Sequence, residues 1–263
     1  MYYARMKRGF SLVELSIVLV ILGLLSGAIL AGRSLIRASE MRAVTSQIEQ
    51  LRTAGQTFRE KYFYIPGDLP NAVSFWGEAA SGSACKLADS TTLSDPRRTC
   101  NGNGNGTYQN WLTTSNEYFR AWQHLANAGL VQGTYSGVEG SGGIRHARIG
   151  LNVPAATLTN VGFSLEYSGI PDSSNSWAWQ GNALNTLTVG GEDTTLNTYR
   201  ASFRPDEAWN IDTKTDDGYP STGKLRSKKD FTYCHTSQTF ANAEYNVAYS
   251  SLSCNLTYYN FYY

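Results

Sequence analysis

A chain of 263 residues can hold one large domain or two small ones with ample material for a core. Its net charge is +1 and only 16 % of its residues are charged, which excludes a bulk electrostatic case for a nucleic-acid partner. Its 17 Tyr, 10 Phe and 6 Trp lie among Gly, Ser, Thr and Asn, the composition of a secreted or surface β-rich domain.

The first segment is basic. Arg5, Lys7 and Arg8 precede any acid, and without these three cations the net charge of +1 becomes −2. From Leu15 to Gly32 no residue is charged, and with Phe10–Val13 added the run matches the about 20 residues a helix needs to cross a bilayer. The preceding cations predict that residues 1–9 stay in the cytoplasm while the bulk of the chain crosses. Beyond Arg33 the periodicity changes. Met41, Val44, Ile48, Leu51, Gly55, Phe58 and Tyr62 alternate spacings of three and four, an apolar stripe on a helix whose other faces carry Arg42, Gln47, Glu49, Arg52 and Glu60. Nothing breaks the chain between Phe10 and Tyr62, so one helix about 80 Å long is expected, ended by Ile65-Pro66-Gly67-Asp68. Its first half, residues 10–32, calls for lipid or copies of itself; its second, residues 33–64, calls for a sheet laid against one side.

Arg8-Gly9-Phe10-Ser11-Leu12-Val13-Glu14-Leu15 resembles the prepilin leader and cleavage site of type IV pilins and type II secretion pseudopilins. The resemblance covers about the first fifty residues. It implies that residues 1–9 are a leader, that prepilin peptidase cuts between Gly9 and Phe10, and that the new Phe10 amine is N-methylated. It also implies that Glu14 neutralises the N-terminal amine of a neighbouring subunit during assembly. Physical chemistry supports an amine partner, on the same chain or on a staggered neighbour, because a carboxylate in a membrane helix costs about 2.5–3.5 kcal/mol on insertion scales. Two plainer readings compete. An ordinary signal peptide would use Ser26-Gly27-Ala28 as its cleavage site, but Glu14 would then lie inside its apolar region. A simple signal anchor leaves Glu14 near the interface without a role. The pilins' helix-kinking proline is missing; Gly23, Gly27 and Gly32 occupy that stretch.

Residues 65–263 are expected to form an α+β head: an antiparallel sheet packed on the second half of the long helix, with long loops. Candidate strands are Ile149–Val153, Val161–Tyr167, Thr186–Val189, Phe231–Cys234, Gln238–Ala248 and Leu252–Tyr258, with one more helix at Glu117–Ala128 ended by Gly129. Cys85, Cys100, Cys234 and Cys254 lack C-x-x-C spacing, so two disulfides in an oxidising compartment are expected. Three connectivities are open; local pairing closes the shorter loops at lower entropic cost. The segments Phe58–Gly77, Phe119–Gly133 and Glu207–Leu225 resemble a group of large prepilin-like proteins, a likeness that implies no separate activity.

No cofactor is required, but two motifs are candidate calcium sites. Asn101, Asn103 and Asn105 have calcium-loop spacing with Gly106 in sixth place, Leu112 instead of a glutamate in twelfth, and Glu117 placed to close the site. The plainer reading is an Asn-Gly turn. Asp212, Asp216 and Asp217 bring three carboxylates together, although Lys214 among them points to an acidic turn held by its own lysine. His124, His146 and His235 are isolated, with no G-x-S-x-G, H-E-x-x-H or Walker loop, so no enzyme is read here.

The function expected is a structural subunit of a type IV pilus-like filament. The partners expected are identical or related pilin subunits, prepilin peptidase, the inner-membrane assembly machinery and, before assembly, membrane lipid. The precursor would be a single-pass inner-membrane protein with its head outside the cytoplasm, later in an extracellular pilus or a periplasmic pseudopilus. The alternatives are a type II secretion pseudopilin, or a membrane-tethered carbohydrate- or surface-binding module using Trp177, Trp179 and the terminal Tyr258-Tyr259-Asn260-Phe261-Tyr262-Tyr263. For these aromatics core packing is the plainer role.

Overall fold

The computed structural model describes residues 11–82, 85, 90–108, 116–143, 145–168, 179, 184–195, 197–228 and 231–262. Helix α1, Leu12–Tyr62, runs as one element of 51 residues. It passes through two compact units, the first ending at Arg42 and the second beginning at Ala43. In the first unit its apolar stretch is long enough to span a bilayer, and none of it is buried. The helix continues through Gly23, Gly27 and Gly32, where open space surrounds each backbone.

In the second unit α1 buries Val44, Ile48, Leu51, Gly55 and Phe58 of the stripe that the periodicity predicts, with Ala54 beside them. The chain leaves the helix at Phe63, in left-handed conformation (φ 62°), whose N–H donates to the Arg59 carbonyl at 2.8 Å. Gly67 follows with φ 87°; any Cβ there would collide with the Glu117 carbonyl and the Ala121 amide. A one-and-a-half-turn helix α2, Ala72–Trp76, and helix α3, Glu117–Asn127, come next. The latter falls one residue short of the expected Ala128.

The sheet has four strands, β1 (Val161–Ser168), β2 (Leu184–Gly191), β3 (Leu225–Arg226) and β4 (Leu256–Tyr259), in the order β1-β2-β4-β3 and antiparallel throughout. Register gives it two unlike faces. Phe163 opposes Val189 and Leu165 opposes Leu187, while Leu187 and Val189 oppose Tyr258 and Leu256. On this apolar face the Arg52 guanidinium of α1 lies 5.9 Å from the centre of the Tyr258 ring. Near the chain's end, Tyr262 seats its ring against Gly55 of α1, and its carbonyl accepts from Arg59 Nη1 at 3.1 Å.

The other face carries Ser164, Glu166, Thr186, Thr188 and Thr257, and it too is buried. Glu166 Oε1 accepts from Lys228 Nζ at 2.6 Å and Oε2 from Arg145 Nη2 at 2.6 Å. Ser164 pairs with the Thr198 hydroxyl at 2.7 Å, and Thr188 with that of Thr257 at 3.2 Å. Burial pushes the Glu166 carboxyl up, but Lys228 and Arg145 outweigh it and hold the group at about 2. For Lys228 burial pulls down and the Glu166 charge pulls up, leaving the ammonium above its ordinary value.

Several expected strands are not strands. Ile149–Val153 reduces to an isolated bridge, and Phe231–Cys234 is a turn closed by Cys234 N–H on the Phe231 carbonyl. Gln238–Ala248 contains a 3-10 turn at Phe240–Asn242, because Ser237 and Thr236 side chains compete for the backbone groups a ladder would use. A further helix, α4 at Pro205–Thr215, is absent from the sequence reading. Its start is marked by Pro205 in the first turn and by Glu207, whose carboxylate accepts the Arg204 N–H at 2.9 Å. The disulfides join Cys85 to Cys100 and Cys234 to Cys254, with Cα atoms 6.1 and 5.1 Å apart.

Candidate assembly segment

Gly9 and Phe10 lie outside the described residues, which begin at Ser11. Ser11 caps α1: its Oγ accepts the Val13 N–H at 3.3 Å, and the Glu14 carboxylate accepts the Ser11 N–H at 2.8 Å. This capping box is legible in the sequence as S-x-x-E, and it gives Glu14 a local backbone partner that the sequence reading, limited to an N-terminal amine of the same chain or of a neighbour, does not name. The Glu14 carboxylate thus sits at the positive end of the helix, on the N–H of the residue that follows Phe10 in the chain. Downstream, Leu15, Val18, Leu22, Leu25 and Ile29 all present exposed side chains.

The head's candidate cation sites differ from one another in kind. Around Asn101–Gly106 the backbone N–H groups point inward: Gly104 and Gly106 donate to the buried Asp68 carboxylate at 2.6 and 2.7 Å, and Asn103 N–H donates to Glu117 at 3.3 Å. The amide oxygens of Asn101, Asn103 and Asn105 accept N–H groups from Val73, Asn105 and Thr107. The loop therefore forms a nest for an internal anion and commits its own oxygens to backbone N–H groups, those of Asn103 and Asn105 in local turns and that of Asn101 at α2. Leu112 lies outside the described residues.

Asp212, Asp216 and Asp217 bring one carboxylate oxygen each within 4.8 Å of one another. Here the expectation about Lys214 fails. The residue lies on α4, where Nζ donates to the side-chain amide oxygen Oδ1 of Asn210 at 2.6 Å, a helical i, i+4 pair, and the acids are held by other groups. Asp212 accepts from Gly218 N–H and the Tyr245 hydroxyl, Asp216 from the N–H groups of Lys224 and Leu225, and Asp217 from Tyr219 N–H and the Thr222 hydroxyl. Burial pushes Asp212 up to about 7, with Asp217 and Asp216 adding to the rise.

All three histidines are buried and hydrogen-bonded within the head. His124 is fully buried between Phe58 and Trp76; its Nδ1 accepts the Gly67 N–H at 2.9 Å, so Nε2 carries the proton and donates to Thr99 at 3.0 Å. Thr99 in turn donates to Gln123, which also accepts from Arg120. Burial holds His124 down at about 3. His235 sits edge-on to Trp179, 5.0 Å away between ring centres, and His146 Nδ1 accepts the Gly142 N–H. The aromatics considered for sugar binding are core: Trp179, Tyr258, Tyr259, Phe261 and Tyr262 are all buried, while Trp177 and Tyr263 lie outside the described residues.

Residues 4–30 match the prokaryotic N-terminal methylation motif, the prepilin signature of type IV pilins and pseudopilins. No curated protein and no solved structure matches the chain. The signature belongs to a structural, non-enzymatic family, and it implies cleavage by prepilin peptidase and assembly into pilin-type filaments. With the exposed apolar half of α1 it fits a membrane-anchored precursor. The first thirty residues thus carry the prepilin signature of type IV pilins and pseudopilins, and the long apolar N-terminal helix with a four-strand antiparallel sheet is consistent with an α+β pilin-like fold.

Proposed function

We propose that the protein is a structural subunit of a type IV pilus-like filament, cut between Gly9 and Phe10 and polymerised through α1. One observation carries the reading. The methylation motif runs without a break into a helix whose apolar stretch is wholly exposed in the single chain. Exposed surface of that length is costly in water, so it needs lipid before assembly and neighbouring helices afterwards. Glu14 supplies the assembly step. Its carboxylate caps its own helix in the single chain, and it can exchange the Ser11 N–H for the amine of a neighbour.

The experiment is an N-terminal mass measurement on protein from the membrane and from a sheared-surface fraction. A chain that begins with N-methylated Phe10 and occurs in the sheared fraction supports the proposal. A chain that begins at Ile29 means ordinary signal-peptide cleavage and ends it. The Glu14→Ala variant should stay membrane-bound and unassembled, and normal filaments from that variant would remove Glu14 from the assembly step.

A further inference from the structure

One face of α4 stays open to solvent. Asp206, Trp209 and Thr213 follow one another at helical spacing along it, and Trp209 is 46 % exposed, although a tryptophan normally buries most of its surface. Opposite lie the turn that carries Tyr219, 51 % exposed, and the segment of Glu244–Val247, with Val247 also exposed. These elements bound a groove of about 620 Å³. Among the described residues neither Trp209 nor Tyr219 stacks on another ring, and about half of each side chain is open to solvent.

The groove's charge is one-sided. Asp206, Asp217 and Glu244 line it, and no lysine or arginine does among the described residues. Asp206 has an exposed partner in Arg204 at 3.3 Å, whereas among the described residues Asp217 is held only by neutral donors, the Tyr219 N–H and the Thr222 hydroxyl. The Glu244 carboxylate has no hydrogen bond or ion pair among the described residues. Lys214 of the same helix is tied to Asn210. Aromatic faces with carboxylates around them attract organic cations, because the ring quadrupole and the acids act with the same sign.

We propose that the groove between α4 and the Glu244–Val247 segment binds ligands bearing an organic ammonium group, seated against Trp209 and Tyr219 and held by Asp217 and Glu244. A neutral sugar could use the rings and hydrogen-bond the acids but would gain no charge–charge attraction from the net negative wall. The site is separate from the assembly segment and does not require polymerisation.

The test is calorimetric titration of the full chain in non-ionic detergent, calcium-free and at low salt, with spermidine, choline and N-acetylglucosamine. Wild type should bind the two ammonium compounds, with affinity falling as salt rises. Trp209→Ala and Glu244→Gln, both at exposed positions that leave the fold intact, should each weaken binding by about tenfold. Failure to bind either ammonium compound overturns the proposal. So does binding unchanged in both variants, or binding of the sugar alone.

Discussion

Two regions of this molecule depart from ordinary burial in opposite directions. Along residues 12–36 leucine, isoleucine and valine are exposed without cover, whereas on the second face of the sheet Glu166 and Lys228 are almost entirely buried. The first arrangement makes the single chain incomplete, because its apolar surface is matched only by lipid or by other helices. The second makes the head self-sufficient, because every charge taken out of water there has a partner of opposite sign at 2.6 Å. Replacements in the two regions should therefore be read by different instruments, folding for the head and assembly for the helix.

The largest folding effect is expected at Lys228. Lys228→Met leaves Glu166 with Arg145 as its remaining charged partner and the Thr188 hydroxyl as a neutral donor, and breaking a buried pair from one side costs up to about 3–5 kcal/mol. A shift in the urea midpoint of the detergent-solubilised chain measures it. Replacing Glu166 by leucine in the same protein should recover part of the loss, and no recovery would mean that the pair does more than neutralise itself. Gly55→Ala comes next. A Cβ there would run into the Tyr262 ring, so the C-terminal segment must shift, at about 1–3 kcal/mol for overpacking. An unchanged midpoint would show that Tyr262 can leave α1 at little cost.

The same contrast explains what was legible in the sequence. The long helix is written in two strong signals, an uncharged run and a stripe from Val44 to Phe58, and both depend only on neighbours along the chain. Strands β1 and β2 also announce themselves by alternation. The polar face did not, because Ser164, Glu166, Thr186 and Thr188 look like solvent-facing residues until Lys228 and Arg145 arrive from distant segments. Helix α4 was hidden by the Asn210–Gly218 acids, which resemble a turn, although Pro205 and Glu207 marked its start. At the assembly segment, the Ser11–Glu14 cap was local and readable. The groove was not, since Trp209, Tyr219 and Glu244 meet only after folding.

A smaller effect should appear with pH. His124 is neutral in the fold, at about 3 against an ordinary value near 6.5, so between these values the unfolded chain binds more protons. Its contribution is present in full above about pH 6.5 and is lost as pH falls, by at most about 1.4 kcal/mol per pH unit. Asp212, raised to about 7, acts with the opposite sign and loses its contribution as pH rises, so the useful quantity is a difference between proteins. His124→Gln should lower stability at neutral pH and show a flatter decline between pH 6.5 and 5. An identical decline would assign the acid sensitivity to other groups, His235 first among them, held by burial at about 4.

The smallest folding effect belongs to the exposed helix, and it separates the two regions most directly. Leu25 is 54 % exposed, so Leu25→Ala should move the unfolding midpoint of the head by no more than about 0.5 kcal/mol. If this stretch is matched by other copies, the same replacement removes contact area from every subunit interface along a filament, and many small losses add. Filament yield in the sheared fraction should then fall while head stability does not. A loss of head stability would instead show that the stretch folds against its own chain. Unchanged yield would confine the essential contacts to the neighbourhood of Glu14.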